Sequence, residues 1–568
     1  MNLSEAPKYD DVSIEKGDNS DGGPRGTPEE PEKAAEYIKG ATLALVMISI
    51  SIVYFLNMLD TTVLATAIPY ITDEFNSLLD IGWYGSAYTL ATYWVFTGCL
   101  VVFEIGSVVC ATARSSSTLI AGRVVAGLGG AGLLNGCLII MNSSAPPHRT
   151  PALMGIVIGI GQLGLAFGPL IGGAFTEYVS WRWCFYINLI IGIPVAAIIA
   201  IVPIPDHIKK PAIRDAFKNG VMAFDVPGFA IFTCAVVMFF LALRFGGTHF
   251  AWNSSQIIGL FCGAGAALIA WLAWDWYAGE DAMVPYSMME HRTVWVSCVC
   301  MAFQAAPVFS LTIFLPVYFQ AVLGQTSFQS GVDFLATILP QLLFAVVGGR
   351  AVEKTGYYTP FLLVGVVLTT VGFGLMSMFS PDSPVGMWVG FQVIYGVGRG
   401  LSLAIVSHLI RSAYYSGFRL LSCLQPLRMT TDILATPQPF VAVQNTLPKQ
   451  QIPAAMSIIM FIGNFAGAVA VVLSQTIFTN SLLELIPQYA PEVDPGVVIA
   501  AGSTKVREVV ATSQIAQVLV AYAKSVDRTW YFTAAIAAVP FFFGWMLGFQ
   551  DIRQKTKHEE TSNGSNAA

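Results

Sequence analysis

A chain of 568 residues that is 55% hydrophobic and 11% charged, with a mean hydropathy of +0.64, is not a water-soluble protein; soluble chains of this size carry roughly 25% charged residues. The net charge of −6 comes mostly from one acidic tail and says little about partners, and no basic face for nucleic acid is readable. Eight cysteines (Cys99, Cys110, Cys137, Cys184, Cys234, Cys262, Cys298 and Cys300) lie in apolar segments without metal-ligand spacing and read as small buried hydrophobes.

Residues 1–40 are acidic, rich in Pro, Gly and Ser, and have no apolar core of a secretory signal; they read as a disordered cytoplasmic tail. Apolar runs long enough to cross a hydrocarbon core of about 30 Å then recur. They lie near 41–66, 83–113, 118–141, 152–175, 183–203, 227–244, 256–273, 294–318, 333–349, 360–379, 385–406, 452–479 and 530–549. The first would also act as the insertion signal. This organisation predicts an N-terminal bundle over 41–203, then a cytoplasmic loop and two linking spans over 204–290. A C-terminal bundle follows over 291–550, with an atypical insert at 407–436 and a long outer loop at 480–529. Residues 551–568 form a second cytoplasmic tail.

With the N-terminus inside and the 83–113 run taken as two spans, Arg149, Lys209, Lys210, Arg214, Lys218, Arg350 and Lys354 all fall in inner loops. The loop after the first span has no Lys or Arg. Both termini are therefore expected to be cytoplasmic. Asn253 in "WNSS" is a glycosylation sequon on the predicted outer side, close to the membrane.

Residues 161–175, "GQLGLAFGPLIGGAF", place poor helix formers inside a run that must be helical in lipid. Gly161, Gly164, Gly168 and Gly172 are spaced three and four apart, so they share one face and permit close helix approach. Pro169 removes one backbone bond and bends the helix. Charge inside the span is costly and marks ion paths. Asp60 and Arg123 should lie at comparable depth on antiparallel spans, as a relay or as a static pair. Burial favours the neutral carboxyl and a nearby cation favours the ionised one, so a movable Arg123 would switch the proton affinity of Asp60. Glu104 is a further candidate carboxylate, or a helix-packing hydrogen bond. Gln162, Gln304, Gln341 and Gln444 are candidates for a substrate cavity, beside Phe303, Phe344 and Trp388. Arg399 is expected to snorkel from near the cytoplasmic end. The six histidines are scattered, and neither a phosphate-cradling loop nor a catalytic or metal constellation is readable. No cofactor is expected, and neither an ATP-driven pump nor an enzyme.

Several stretches, in order, carry a resemblance to a known family. "GLAFGPLIGG" resembles the fifth-span antiporter motif of drug:proton antiporters of the major facilitator superfamily, here Gly164, Gly168, Pro169, Gly172 and Gly173. "LDTTVLATAIP" resembles the first-span signature of the fourteen-span subfamily, and "LIAGRVVAGLGGAG" its fourth-span motif with a buried arginine. "SWRWCFYINL", "FDVPGF" and the 442–482 region resemble later spans, the last of fungal toxin and secondary-metabolite efflux pumps. The resemblance implies an all-α polytopic membrane protein with the major facilitator fold. Two six-helix bundles would be related by an approximate twofold, with two extra linking spans and one span, second or third, truncated. It implies a monomeric carrier in the lipid bilayer of the plasma membrane, or of a vacuolar or vesicle membrane. A proton gradient would drive export of a small amphipathic molecule bound near the midplane. An importer or siderophore carrier of the same fold is the alternative.

The chain departs from that family twice. The gating loop between the second and third spans is missing: the 31 residues of 83–113 are too few for two spans of about 17 residues and a turn. Conversely, 407–436 interrupts a place where relatives run straight on. A skipped exon and a retained intron would explain both, in which case the chain as written would be a non-transporting product.

Overall fold

In lipid a backbone satisfies its hydrogen bonds only within helices or closed barrels, and the apolar runs of this chain fold as helices. The computed structural model describes residues 45–60, 96–144, 150–201, 225–247, 249–279, 282, 284, 286–355, 357–405, 435–437 and 452–547. The first half contributes α1 (Leu45–Asp60), α2 (Phe96–Ala111), α3 (Ser116–Ser144), α4 (Thr150–Tyr178) and α5 (Trp183–Ile201). A bend of 118° joins the end of α4 to α5. Next come α6 (Val226–Phe245), α7 (Ser255–Ala278) and the short α8 (Tyr286–Glu290). The second half contributes α9 (Arg292–Val317, continued by a π-helical turn to Val322), α10 (Ser327–Thr355), α11 (Thr359–Met376) and α12 (Val385–Ser402). It ends with α13 (Ile452–Tyr489), α14 (Pro495–Val509) and α15 (Ile515–Gly544). Seven of the described helices are long and apolar enough to cross a membrane.

Local chemistry sets the helix ends. The Asp225 carboxylate accepts from Gly228 N at 2.8 Å, with Pro227 in the first turn of α6; Ser254 and Asp494 likewise cap α7 and α14. Gly324 adopts φ +68° in the turn between the π turn and α10, a region other L-residues avoid.

In the first half, α2 packs along α3 and against α5. In the second half, α9, α13 and α15 pack against one another, α11 packs against α15, and α12 lies against both α10 and α11. The two halves meet where α4 packs against α10. The linking helices α6 and α7 form a hairpin whose inner face, Phe232, Val236, Phe240 and Leu243, packs on Ala468 and Val472 of α13. The hairpin is therefore attached to the second half. Little of α7 is buried, and Trp276 and Tyr277 on it are each 78% exposed, which suits a lipid-facing helix.

Three expectations need correction. The segment 480–529 is helical over most of its length: α13 continues to Tyr489, α14 lies at Pro495–Val509, and α15 begins at Ile515. The early part of α15 is amphipathic, with Val518, Leu519, Tyr522, Ser525 and Val526 buried at helical spacing and polar residues opposite, so its apolar content alone reads as loop. The 385–406 run is helical only to Ser402, after which Leu403–Ile405 pairs antiparallel with Ala435–Pro437 in an otherwise helical set of described residues. Cys234 and Cys262 lie on exposed faces of α6 and α7 instead of in a core. Both tails, residues 83–95 and most of the 407–436 insert lie outside the described residues.

Candidate functional site

The first half encloses a sealed polar group. Arg123, seven residues into α3, donates from Nη1 to Asp60 Oδ2 at 2.7 Å, with both side chains essentially buried. Asn188 of α5 donates from Nδ2 to the other carboxylate oxygen at 3.0 Å and lies 3.2 Å from Ser107 Oγ of α2. Four helices thus contribute one polar side chain each to a group centred on the Asp60 carboxylate, with Arg123 and Asn188 on its two oxygens and Ser107 behind Asn188. The Arg123 guanidinium also lies over the Phe185 ring, 5.9 Å from its centre. Both oxygens of a carboxylate held by a cation and an amide are satisfied, which is the condition for keeping a charge in a low-dielectric interior. The depth count on antiparallel spans anticipated the Asp60–Arg123 pair. It missed Asn188 and Ser107; the legible signal was a lone Asn in the apolar run "INLIIG".

Glu104 lies one turn before Ser107 on α2, against Gly192 of α5, where a β-carbon would meet its Oε1. Both of its carboxyl oxygens are sealed from solvent, without a hydrogen-bond partner among the described residues.

The glycine stretch of α4 divides between two neighbours. A β-carbon on Gly161 would strike the Tyr54 ring, and one on Gly164 the Phe55 carbonyl, so these two seat α4 against α1. Further along, a β-carbon on Gly173 would meet the Ser327 carbonyl of α10, and Gly331 of α10 faces the Pro169 carbonyl. Gly168 and Gly172 are buried between these contacts, and Gly172 O accepts from Thr176 Oγ1 at 2.7 Å. Glu177 Oε2 accepts from Phe328 N at 2.9 Å in the first turn of α10, and Tyr178 meets the Phe328 ring at 5.6 Å. The motif therefore fastens α4 to the first half at one end and to the second half at the other.

In the second half, Arg399 is turned inward instead of snorkelling. It donates from Nη1 to Gln304 Oε1 of α9 at 3.3 Å. Helix α12 ends at Ser402, and Gln304 lies twelve residues into α9, about 18 Å along its axis. Phe303, Gln304 and Arg399 line one pocket between α9, α11, α12 and α15. Gln341 is half-buried on α10, with its backbone against Gly396 and Gly400 of α12. Trp388 is packed edge-on against Phe319 in the core, and Phe344 lies half-buried beside Gly400. Gln444 and the side chain of Gln162 lie outside the described residues. Asn253 is exposed in the turn before α7.

Comparison with known proteins places this geometry in context. The sequence profile of the Major Facilitator Superfamily matches residues 50–287. The MFS-type transporter pigP of Monascus ruber is 42% identical over 559 residues, spanning 96% of this chain and 92% of that protein. The efflux pump mlcE of Penicillium citrinum is 38% identical over 555 residues, 93% of this chain and 94% of that protein. Among solved structures, a bacterial homologue of the human lysosomal transporter Spinster, inward-facing and occupied, superposes with a TM-score of 0.58 at 14% identity, covering 90% of this chain and 97% of that one. A D-xylose-proton symporter superposes with a TM-score of 0.52 at 11% identity, covering 90% and 99%. At such identities the likeness is one of fold.

Proposed function

Because this chain belongs to the major facilitator superfamily, we propose that it exports a small amphipathic molecule across the plasma membrane in exchange for protons. It is a multi-pass membrane transporter, not an enzyme. Export of a metabolite is supported by relatives named as efflux pumps. The proton role is supported by one observation above all: a buried carboxylate, Asp60, paired with a buried cation, Arg123, and held by Asn188. Protonating Asp60 removes one charge of the pair, so Arg123 loses its electrostatic partner and the helices carrying them can rearrange. A proton then has different affinities for two arrangements of the bundle, which is what coupling requires. Glu104, with its sealed carboxyl, is the second carrier on the same helix as Ser107.

The two halves rock about a substrate held between them, with both termini and both tails cytoplasmic. In that orientation the α4–α10 contact lies at the outer side. Gly173 and Pro169 seal that side, and the seal opens to release cargo. Gln304 and Gln341 belong to the half that receives the substrate, and Asn253 carries a glycan on the outer turn. The carrier works as a monomer.

Vesicles with an imposed pH gradient test the proton role, using a panel of neutral, anionic and cationic amphipathic dyes. Asp60→Asn is expected to abolish gradient-driven accumulation while leaving dye exchange between the two sides. Undiminished gradient-driven transport by the variant contradicts the proposal.

A further inference from the structure

Alternating access by two halves requires the α4–α10 contact to break once per cycle, so a group that holds this contact sets how readily the gate opens. Close backbone packing makes part of it, with Gly173 against the Ser327 carbonyl and Gly331 against the Pro169 carbonyl. Glu177, in the last turn of α4, adds a charge. Its Oε2 accepts from Phe328 N at 2.9 Å, while the Phe328 ring meets Tyr178 at 5.6 Å.

Helix α10 does not depend on Glu177 for its own start. The first N–H groups of a helix have no partner within it, and Thr326 supplies a local one: its Oγ1 accepts from Gln329 N at 3.2 Å. The turn before α10 is also fixed to its own half, where Arg507 of α14 donates from Nη2 to Val322 O at 2.6 Å. Phe328 N, by contrast, is answered from across the gate, by a side chain carrying the negative charge that a helix N-terminus favours. When the halves part, Glu177 and Phe328 N both return to water. The bond therefore stabilises the closed gate and neither half alone. We infer that Glu177 is the electrostatic latch of the α4–α10 gate, a positioning residue that biases the carrier towards closure on that side. The inference rests on the export reading above, which makes this the outer gate.

The test uses the full chain in proteoliposomes with Leu170→Cys as reporter, because the Leu170 backbone lies against Gly331 in the seal. Ser327→Cys, on the facing end of α10, is the second reporter should Leu170→Cys fail to fold. A membrane-impermeant thiol reagent is applied at each face in turn, and the chain without the introduced thiol gives the background. Glu177→Gln keeps an acceptor and removes the charge; it should speed labelling about two- to fivefold, the contribution of a charge at a helix N-terminus. Glu177→Ala removes the bond as well and should speed it about tenfold. Glu177 is exposed, so salt at about 1 M should screen its charge, speeding labelling in the parent and leaving Glu177→Gln unchanged. Glu290→Gln, at an exposed carboxylate on α8, is the control and should label as the parent does. Parent-like rates in both Glu177 variants, or the same salt response with and without the charge, overturn the inference. Faster labelling of the variants from the inner face alone supports the latch and contradicts the export reading's placement of the gate. Failure of export itself would appear separately, as absent gradient-driven flux with the Glu177 dependence intact.

Discussion

The two halves of this carrier solve the same problem in opposite ways. In the first half the buried arginine is neutralised within the protein by Asp60, with Asn188 and Ser107 completing the group. In the second half the part-buried Arg399 donates to a neutral amide, that of Gln304, and among the described residues it meets no carboxylate. A closed ion pair can respond only to something that enters and changes its charge, and a proton is the smallest such agent. On the proposed reading, proton sensing belongs to the half that holds the Asp60–Arg123 pair.

Stability offers the largest separation between them. Arg123→Met would leave Asp60 buried without its cation, which costs about 3–5 kcal/mol. Arg399→Met leaves no buried charge behind and should cost about 1 kcal/mol, the net value of a hydrogen bond. Thermal unfolding of the two variants in detergent checks this, and equal losses would erase the distinction. The double variant Asp60→Leu with Arg123→Met should recover most of the first loss, since an apolar replacement of a whole buried pair is often neutral.

Backbone packing comes next. Gly164→Val would drive a side chain into the Phe55 carbonyl, with an overpacking cost of about 1–3 kcal/mol. Phe167, off the glycine face and 45% exposed, should tolerate Leu within about 0.5 kcal/mol. Equal tolerance at both positions would leave the α1–α4 contact without an energetic role. The smallest effect is expected on the linking hairpin, where Trp276→Ala on the exposed face of α7 should change stability by less than about 0.5 kcal/mol. A larger change would mean that α7 is covered by protein and not by lipid.

Much of this was legible in the sequence, for physical reasons that vary by element. Spans such as α6 and α11 are apolar on all sides, so hydropathy alone bounds them to within a few residues. Asp60 and Arg123 could be matched because depth along antiparallel spans is a counting problem. Arg399 lies in the last turn of α12, near the helix end as its position in the run implied, but its side chain turns inward to Gln304, a partner on another helix that one segment cannot reveal. The helices inside 480–529 were missed because their polar face, including the exposed Arg528–Glu484 pair, lowers mean hydropathy although the other face is buried. The 3.6-residue spacing of Val518, Tyr522, Ser525 and Thr529 was the signal that hydropathy averaging hides. The division of the glycine motif between α1 and α10 depends on which helices lie nearby, and no spacing in one segment encodes that.

Proton movement itself tests the central claim most directly. In proteoliposomes loaded with a pH-sensitive dye, an outward gradient of a transported amphiphile should drive protons in the opposite direction through the wild-type protein. Asp60→Asn removes the titratable group at nearly constant volume but leaves Arg123 buried without its anion, so its unfolding midpoint and substrate binding are measured beside the flux to show that the variant is folded. Its substrate-driven proton flux should be absent. A proton flux of wild-type size through Asp60→Asn would contradict the account.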